Sequence, residues 1–141
     1  MLLRLSVQNF HSFKEEVEFN TFPSSKSHNH ESHKVACGFA TALRLSAIYG
    51  ANGAGKSALI ESIHFLKTLV KDGNLNGLRR DGLKFQFDVD CQAQPTAIAV
   101  EFYKDGVVYY YHIEFESAKI LFEELLLSKK TTDIWIFKRI D

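Results

Sequence analysis

Gly50-Ala51-Asn52-Gly53-Ala54-Gly55-Lys56-Ser57 decides how this chain is read. The octet fits G-x-x-x-x-G-K-[ST], the phosphate-binding loop of nucleoside triphosphatases. Gly50, Gly53 and Gly55 let the backbone turn sharply and approach a phosphate with no Cβ in the way. Successive N–H groups then converge as an anion-binding nest. Lys56 suits the space between β- and γ-phosphates, and the Ser57 hydroxyl suits Mg²⁺. The positive end of a following helix strengthens the field. The expected nucleotide contacts are Gly50, Asn52, Gly53, Ala54, Gly55, Lys56, Ser57 and Ala58. ATP and Mg²⁺ are the expected ligands.

Average composition would produce this pattern by accident roughly once in two hundred chains of this length. Its neighbours lower those odds. Leu43 to Tyr49 is mostly apolar and reads as a strand entering the loop. Leu59, Ile60, Ile63, Leu66, Leu69 and Val70 recur at helical spacing, so a buried helix leaves it. The glycines at 50, 53 and 55 do not make the dinucleotide fingerprint G-x-G-x-x-G.

The chain has 141 residues, which suits one domain, and 45% of them are apolar, enough for a real core. Seventeen basic and 17 acidic residues cancel, so net charge gives no reason to expect a nucleic-acid partner. Cys37 and Cys91 form no C-x-x-C pair, a usage that suits a reducing compartment. Met1-Leu2-Leu3-Arg4 is charged too early for a signal peptide, and no apolar run spans a bilayer. A cytoplasmic protein with no membrane partner is the expectation.

Along the chain, Leu3, Leu5 and Val7 alternate with polar residues, as do Val17 and Phe19. They predict an antiparallel pair within residues 1–22. Residues 23–42, polar over Pro23 to Lys34, read as a mobile loop. Residues 43–72 read as strand, phosphate loop and helix. Residues 83–139 read as an antiparallel β-meander. It would start at Phe85, Phe87 and Val89 and turn at Lys104-Asp105-Gly106 between arms 97–103 and 107–116. Ile120 to Ser128 and Asp133 to Arg139 would complete it, although Leu and Glu in the former also favour helix.

The loop's form G-x-N-G-x-G-K-S resembles that of ABC-type ATPase heads of the SMC, Rad50, RecF and OLD kind. It stands behind a β-pair carrying Asn9-Phe10-His11-Ser12-Phe13. The chain is most like the stand-alone bacterial ATPases called AAA15 or AAA21, several of which serve in anti-phage defence with Septu or retron systems. Leu3 to Phe10, Ala47-Ile48-Tyr49-Gly50-Ala51-Asn52 and Glu101 to Gly106 share the likeness. It implies an α/β P-loop fold of ABC type, of which this chain is the N-terminal lobe with its β-meander. It implies ATP held between two heads of a homodimer, with hydrolysis driving a nuclease partner or acting on DNA or RNA. Ser12 would lie near the nucleotide, and Gln86 is a candidate for the glutamine that senses the γ-phosphate and Mg²⁺. The position of His11 is commonly basic in that group, often arginine, whereas histidine need carry no charge at neutral pH. The signature motif, the Walker B aspartate, the catalytic glutamate and the switch histidine are expected after residue 141. Glu123-Glu124 follows an apolar run but lacks the aspartate. The 141 residues alone are therefore expected not to hydrolyse ATP.

Other residue groups have plainer readings beside functional ones. His28, His30 and His33 with Glu31 suggest a metal site, against which a solvated loop is favoured. Tyr109, Tyr110 and Tyr111 with Phe102 suggest a base-stacking platform, against which a strand with a core face is favoured. Arg79 and Arg80 read as a solvated turn. Two rival functions remain: a small P-loop kinase or GTPase, disfavoured by the leading β-pair and the missing lid, and a non-catalytic interaction module with a vestigial loop.

Overall fold

A computed structural model of the chain describes residues 1–26, 30–73, 82–117 and 119–141. Six strands form one antiparallel sheet: β1 (Leu2–Gln8), β2 (Val17–Asn20), β5 (Thr96–Lys104), β6 (Val107–Glu116), β7 (Lys119–Ser128) and β8 (Ile134–Ile140). Their order is β2-β1-β5-β6-β7-β8. β3 (Lys34–Cys37) and β4 (Ala40–Leu43) form a separate two-stranded hairpin. α1 (Lys56–Asp72) is the long helix and α2 (Val89–Gln92) a single turn.

Period-two alternation builds the sheet. Leu5 and Val7 of β1, Ile98 of β5, and Ile113 and Phe115 of β6 are buried in one cluster. Phe65, Leu66 and Leu69 of α1 close that cluster from above the sheet. Each such side chain contributes roughly 1.5–3 kcal/mol by leaving water. The ring of Phe65 stacks on Phe115 at 5.1 Å and meets Phe10 edge-on at 5.9 Å. A second cluster joins Leu3, Cys37, Ala42 and Val108, with Tyr103 against it. Tyr103 follows Phe102, which packs on the first cluster, and neighbours in a strand point to opposite faces. The β3–β4 hairpin therefore covers one face of the sheet and α1 the other.

The β5–β6 hairpin turns through Asp105 and Gly106, both at positive φ (51° and 88°), the conformation that suits a two-residue turn between twisted strands. The strands expected at 120–128 and 133–139 are β7 and β8. The expected β-pair is also present, but β1 pairs with β5 along Arg4 to Gln8 and so belongs to the meander's sheet.

Three expectations are corrected. The meander does not begin at residue 83: Phe85, Phe87 and Val89 lie outside any strand. Asn9 binds the backbone of this segment, and the Asp88 carboxylate accepts from Asp90 N to start α2. Residues 34–42, inside the expected mobile loop, form the β3–β4 hairpin with Leu43, because Cys37 and Ala42 alternate onto Leu3 and Val108 around Gly38 at φ 66°. Leu43 to Tyr49 is not a paired strand. β4 ends at Leu43, Arg44 N–H donates to His33 O at 2.9 Å, and residues 45–50 are exposed and in no strand. Every strand pairing among the described residues is antiparallel, so they form a mostly antiparallel sheet with few helices, as expected of the meander.

α1 buries Ala58, Leu59, Ser62, Phe65, Leu66 and Leu69. Ile60, Ile63 and Val70, also expected inside, are exposed and give the helix a second apolar face. No helix among the described residues is long and apolar enough to cross a membrane.

Candidate functional site

The octet lies where α1 begins. Gly55 is the residue before its first turn, at φ 88° and ψ 3°, a left-handed conformation that glycine adopts at no steric cost. Its carbonyl accepts the Leu59 N–H at 3.0 Å, the first bond of the helix. The N–H groups ahead of Leu59 have no intrahelical partner. No side chain caps them, and no acidic residue stands in the first turn. The positive end of a 17-residue helix is thus left for an outside anion.

Upstream, Gly53 is also left-handed, at φ 82°, and Ala54 N–H closes a turn on Ala51 O at 3.2 Å. Gly50, Ala51, Asn52, Gly53 and Ala54 are exposed, whereas Ala58, in the first turn of α1, is buried. The Lys56 ammonium donates to Gly50 O and Ala51 O, both at 2.7 Å. Those are single bonds to neutral acceptors, which a phosphate oxygen can replace with stronger charge-assisted ones. Ser57 is exposed in the first turn. The donors fit a nucleoside triphosphate with Mg²⁺: an ammonium, unpaired N–H groups and a hydroxyl in one turn.

The turn after β1 stands beside this loop. A Cβ built on Gly55 would lie 3.2 Å from Ser12 Oγ and 2.5 Å from Phe13 Cε1. Ser12, expected near the nucleotide, is therefore adjacent to the loop. His11 Nε2 is 3.2 Å from Glu61 Oε2 of α1, its Nδ1 is 3.1 Å from Gly82 O, and its backbone N–H donates to Leu83 O at 2.6 Å.

Asn9 anchors the same turn. It is 1% exposed at φ 49°, and its Nδ2 donates to Cys91 O (2.7 Å), Gln94 O (3.0 Å) and Pro95 O (3.2 Å). Its Oδ1 accepts from Phe85 N at 3.1 Å. Lys14 adds an ion pair to Asp88 at 2.7 Å. That hydrogen bond, with a second from Asp90 N–H, holds the Asp88 carboxyl below its usual range, and Asp88 in turn raises Lys14. Burial pushes the Cys91 thiol up, away from the reactive thiolate.

Gln86 is not drawn to the loop: it is exposed, and its Nε2 donates to Lys84 O at 2.8 Å. Glu123 accepts from Tyr111 Oη at 2.6 Å and pairs with Arg139 at 2.7 Å, and Glu124 accepts from Trp135 Nε1 at 3.0 Å. Both are employed within the sheet. Tyr111 is buried in the core and Tyr109 stacks on Phe102 at 5.4 Å, so two of the three tyrosines serve the fold. His28, Arg79 and Arg80 lie outside the described residues. Among those described, no three His, Cys, Asp or Glu side chains are grouped to hold a metal.

Sequence reasoning singled out the element Asn9 to Phe13 but gave Asn9 and Phe13 no role of their own, and it passed over Glu61. An asparagine that breaks the alternation at a strand end, followed by two phenylalanines three apart, was the available signal. A family model described as an AAA domain matches residues 4–138. No curated protein matches the chain.

Proposed function

The chain belongs to the AAA-domain family of P-loop ATPases, and on that premise we propose that residues 50–57 bind Mg·ATP as the Walker A half of a dimerising ABC-type ATPase. The observation that carries the reading is the left-handed Gly55 at the uncapped start of α1, with Lys56 beside it on replaceable carbonyl bonds. On binding, the ammonium leaves Gly50 O and Ala51 O for the β- and γ-phosphates. The first-turn N–H groups would take phosphate oxygens, and the Ser57 hydroxyl is the group that would hold the magnesium. Magnesium supplies charge neutralisation at the phosphates.

In this reading the acids that position the attacking water come from outside these 141 residues, as does the second head. The exposed apolar side chains of Leu45, Ile48 and Tyr49 and the second face of α1 support it, since an α/β P-loop core buries such surfaces between layers. The output, a nuclease or another defence effector, rests on resemblance.

A calorimetric titration of the folded chain with Mg·ATP tests the site. Saturable heat that Lys56→Ala abolishes, with the melting temperature unchanged, is the expected result. Equal heats for both proteins would overturn it.

A further inference from the structure

We propose that Phe13 is a positioning residue of the phosphate loop, its ring bracing Gly55 in the conformation on which the loop's aim depends. The inference rests on the reading of residues 50–57 as a nucleotide site.

The two left-handed glycines of the loop have different surroundings. A Cβ on Gly53 would meet nothing within 4 Å. A Cβ on Gly55 would stand 2.5 Å from Phe13 Cε1 and 2.9 Å from Cζ. A side chain at 55 is therefore opposed on two separate grounds, its positive φ and the outer edge of the Phe13 ring, which would have to move aside. The loop's own bonds, Ala54 N–H to Ala51 O and Lys56 to Gly50 O and Ala51 O, all lie within it. The Ser12–Phe13 turn presses on Gly55 from another part of the chain.

Phe13 is itself firmly placed. Phe10 N–H donates to Phe13 O at 3.0 Å and Phe13 N–H to Phe10 O at 2.9 Å, closing the turn at both ends. Phe10 is buried and meets Phe65 of α1 edge-on. His11 against Glu61 fastens the turn to the same helix. A continuous line of contacts thus runs from the core to the residue that aims the loop's N–H groups. The ring offers no hydrogen bond to a phosphate. Its contribution is preorganisation: a braced loop need not be ordered when the nucleotide arrives.

The test is titration of the full chain with Mg²⁺ and N-methylanthraniloyl-ATP, each variant also being melted by circular dichroism. Phe13→Ala is expected to weaken binding about tenfold by removing the brace. Phe13→Leu keeps apolar bulk but stops short of Gly55, so it should lose nearly as much and serves if the alanine variant does not fold. Phe13→Met reaches as far as the ring edge and should recover binding to within about threefold. Gly55→Ala should cost less affinity in the Phe13→Ala background than alone, because the clash is gone and only backbone strain remains; such non-additivity marks direct coupling. Wild-type affinity in both Phe13→Ala and Phe13→Leu, or additive losses with Gly55→Ala, overturns the inference while leaving the site intact. Absence of nucleotide binding by the wild-type chain overturns both.

Discussion

Replacing Asn9 by alanine unfastens residues 85–95 from the end of β1. Three carbonyls and one N–H lose their partner. The amide carries only two protons, so the 3.2 Å contact to Pro95 O shares one of them. Three effective hydrogen bonds at about 1 kcal/mol each give about 3 kcal/mol. Asn9 also sits at φ 49°, where alanine costs about 1 kcal/mol more than a residue that tolerates left-handed backbone. The expected loss is about 4 kcal/mol, a large share of a stability that is typically 5–15 kcal/mol. For a chain of this size, it lowers the melting temperature by about 12–15 °C. Denaturant unfolding followed by circular dichroism measures the loss. Trypsin cleavage after Lys84 reports the freed segment separately. Asn9→Asp keeps the shape and the backbone tolerance but turns a carboxylate on the three carbonyls. It should be at least as damaging at neutral pH and recover partly once protonated. An Asn9→Ala loss below about 1 kcal/mol, or an Asn9→Asp chain as stable as wild type at pH 7, would refute the anchoring role.

Two further perturbations probe the frame around the site. Phe65→Ala removes the ring that stacks on Phe115 and meets Phe10, and should cost about 3–5 kcal/mol in denaturant unfolding. Asp88→Asn should destabilise the chain at neutral pH, with the difference from wild type vanishing in acid. The Asp88 carboxyl is depressed in the folded state, so its stabilisation is present above the unfolded value and disappears as pH falls through the folded one. Melting curves of both proteins across the acidic range should converge, and a constant offset would contradict the Lys14–Asp88 clamp.

The parts of the fold that announce themselves in the sequence are those whose cause is local. Asp105-Gly106 between two apolar alternations predicts its hairpin because positive φ at both positions is a property of those residues. Leu59, Leu66 and Leu69 predict α1 because their spacing is the helix's own. Leu45, Ile48 and Tyr49 mislead for the opposite reason: an apolar run states a demand for burial and does not name the partner that meets it. Phe85, Phe87 and Val89 carry strand period, yet the Asn9 carboxamide, 76 residues away from Phe85, takes up the backbone that a strand would need. The glycine turn that ends at Gly55 and the helix start at Lys56 were legible from the octet Gly50 to Ser57. The Phe13 ring against Gly55 was not, because no spacing in the sequence brings residue 13 to residue 55.

The central claim is that the turn at Gly53 to Ser57 is a triphosphate site. Amide chemical-shift mapping of the ¹⁵N-labelled chain during titration with Mg·ATP tests it most directly. The account predicts saturable shifts led by the N–H groups of Gly53, Gly55, Lys56 and Ser57. It also predicts smaller shifts at Ser12 and Phe13, and none of these in Lys56→Ala. Unmoved loop amides at saturating nucleotide, or shifts clustered elsewhere on the sheet, would contradict it.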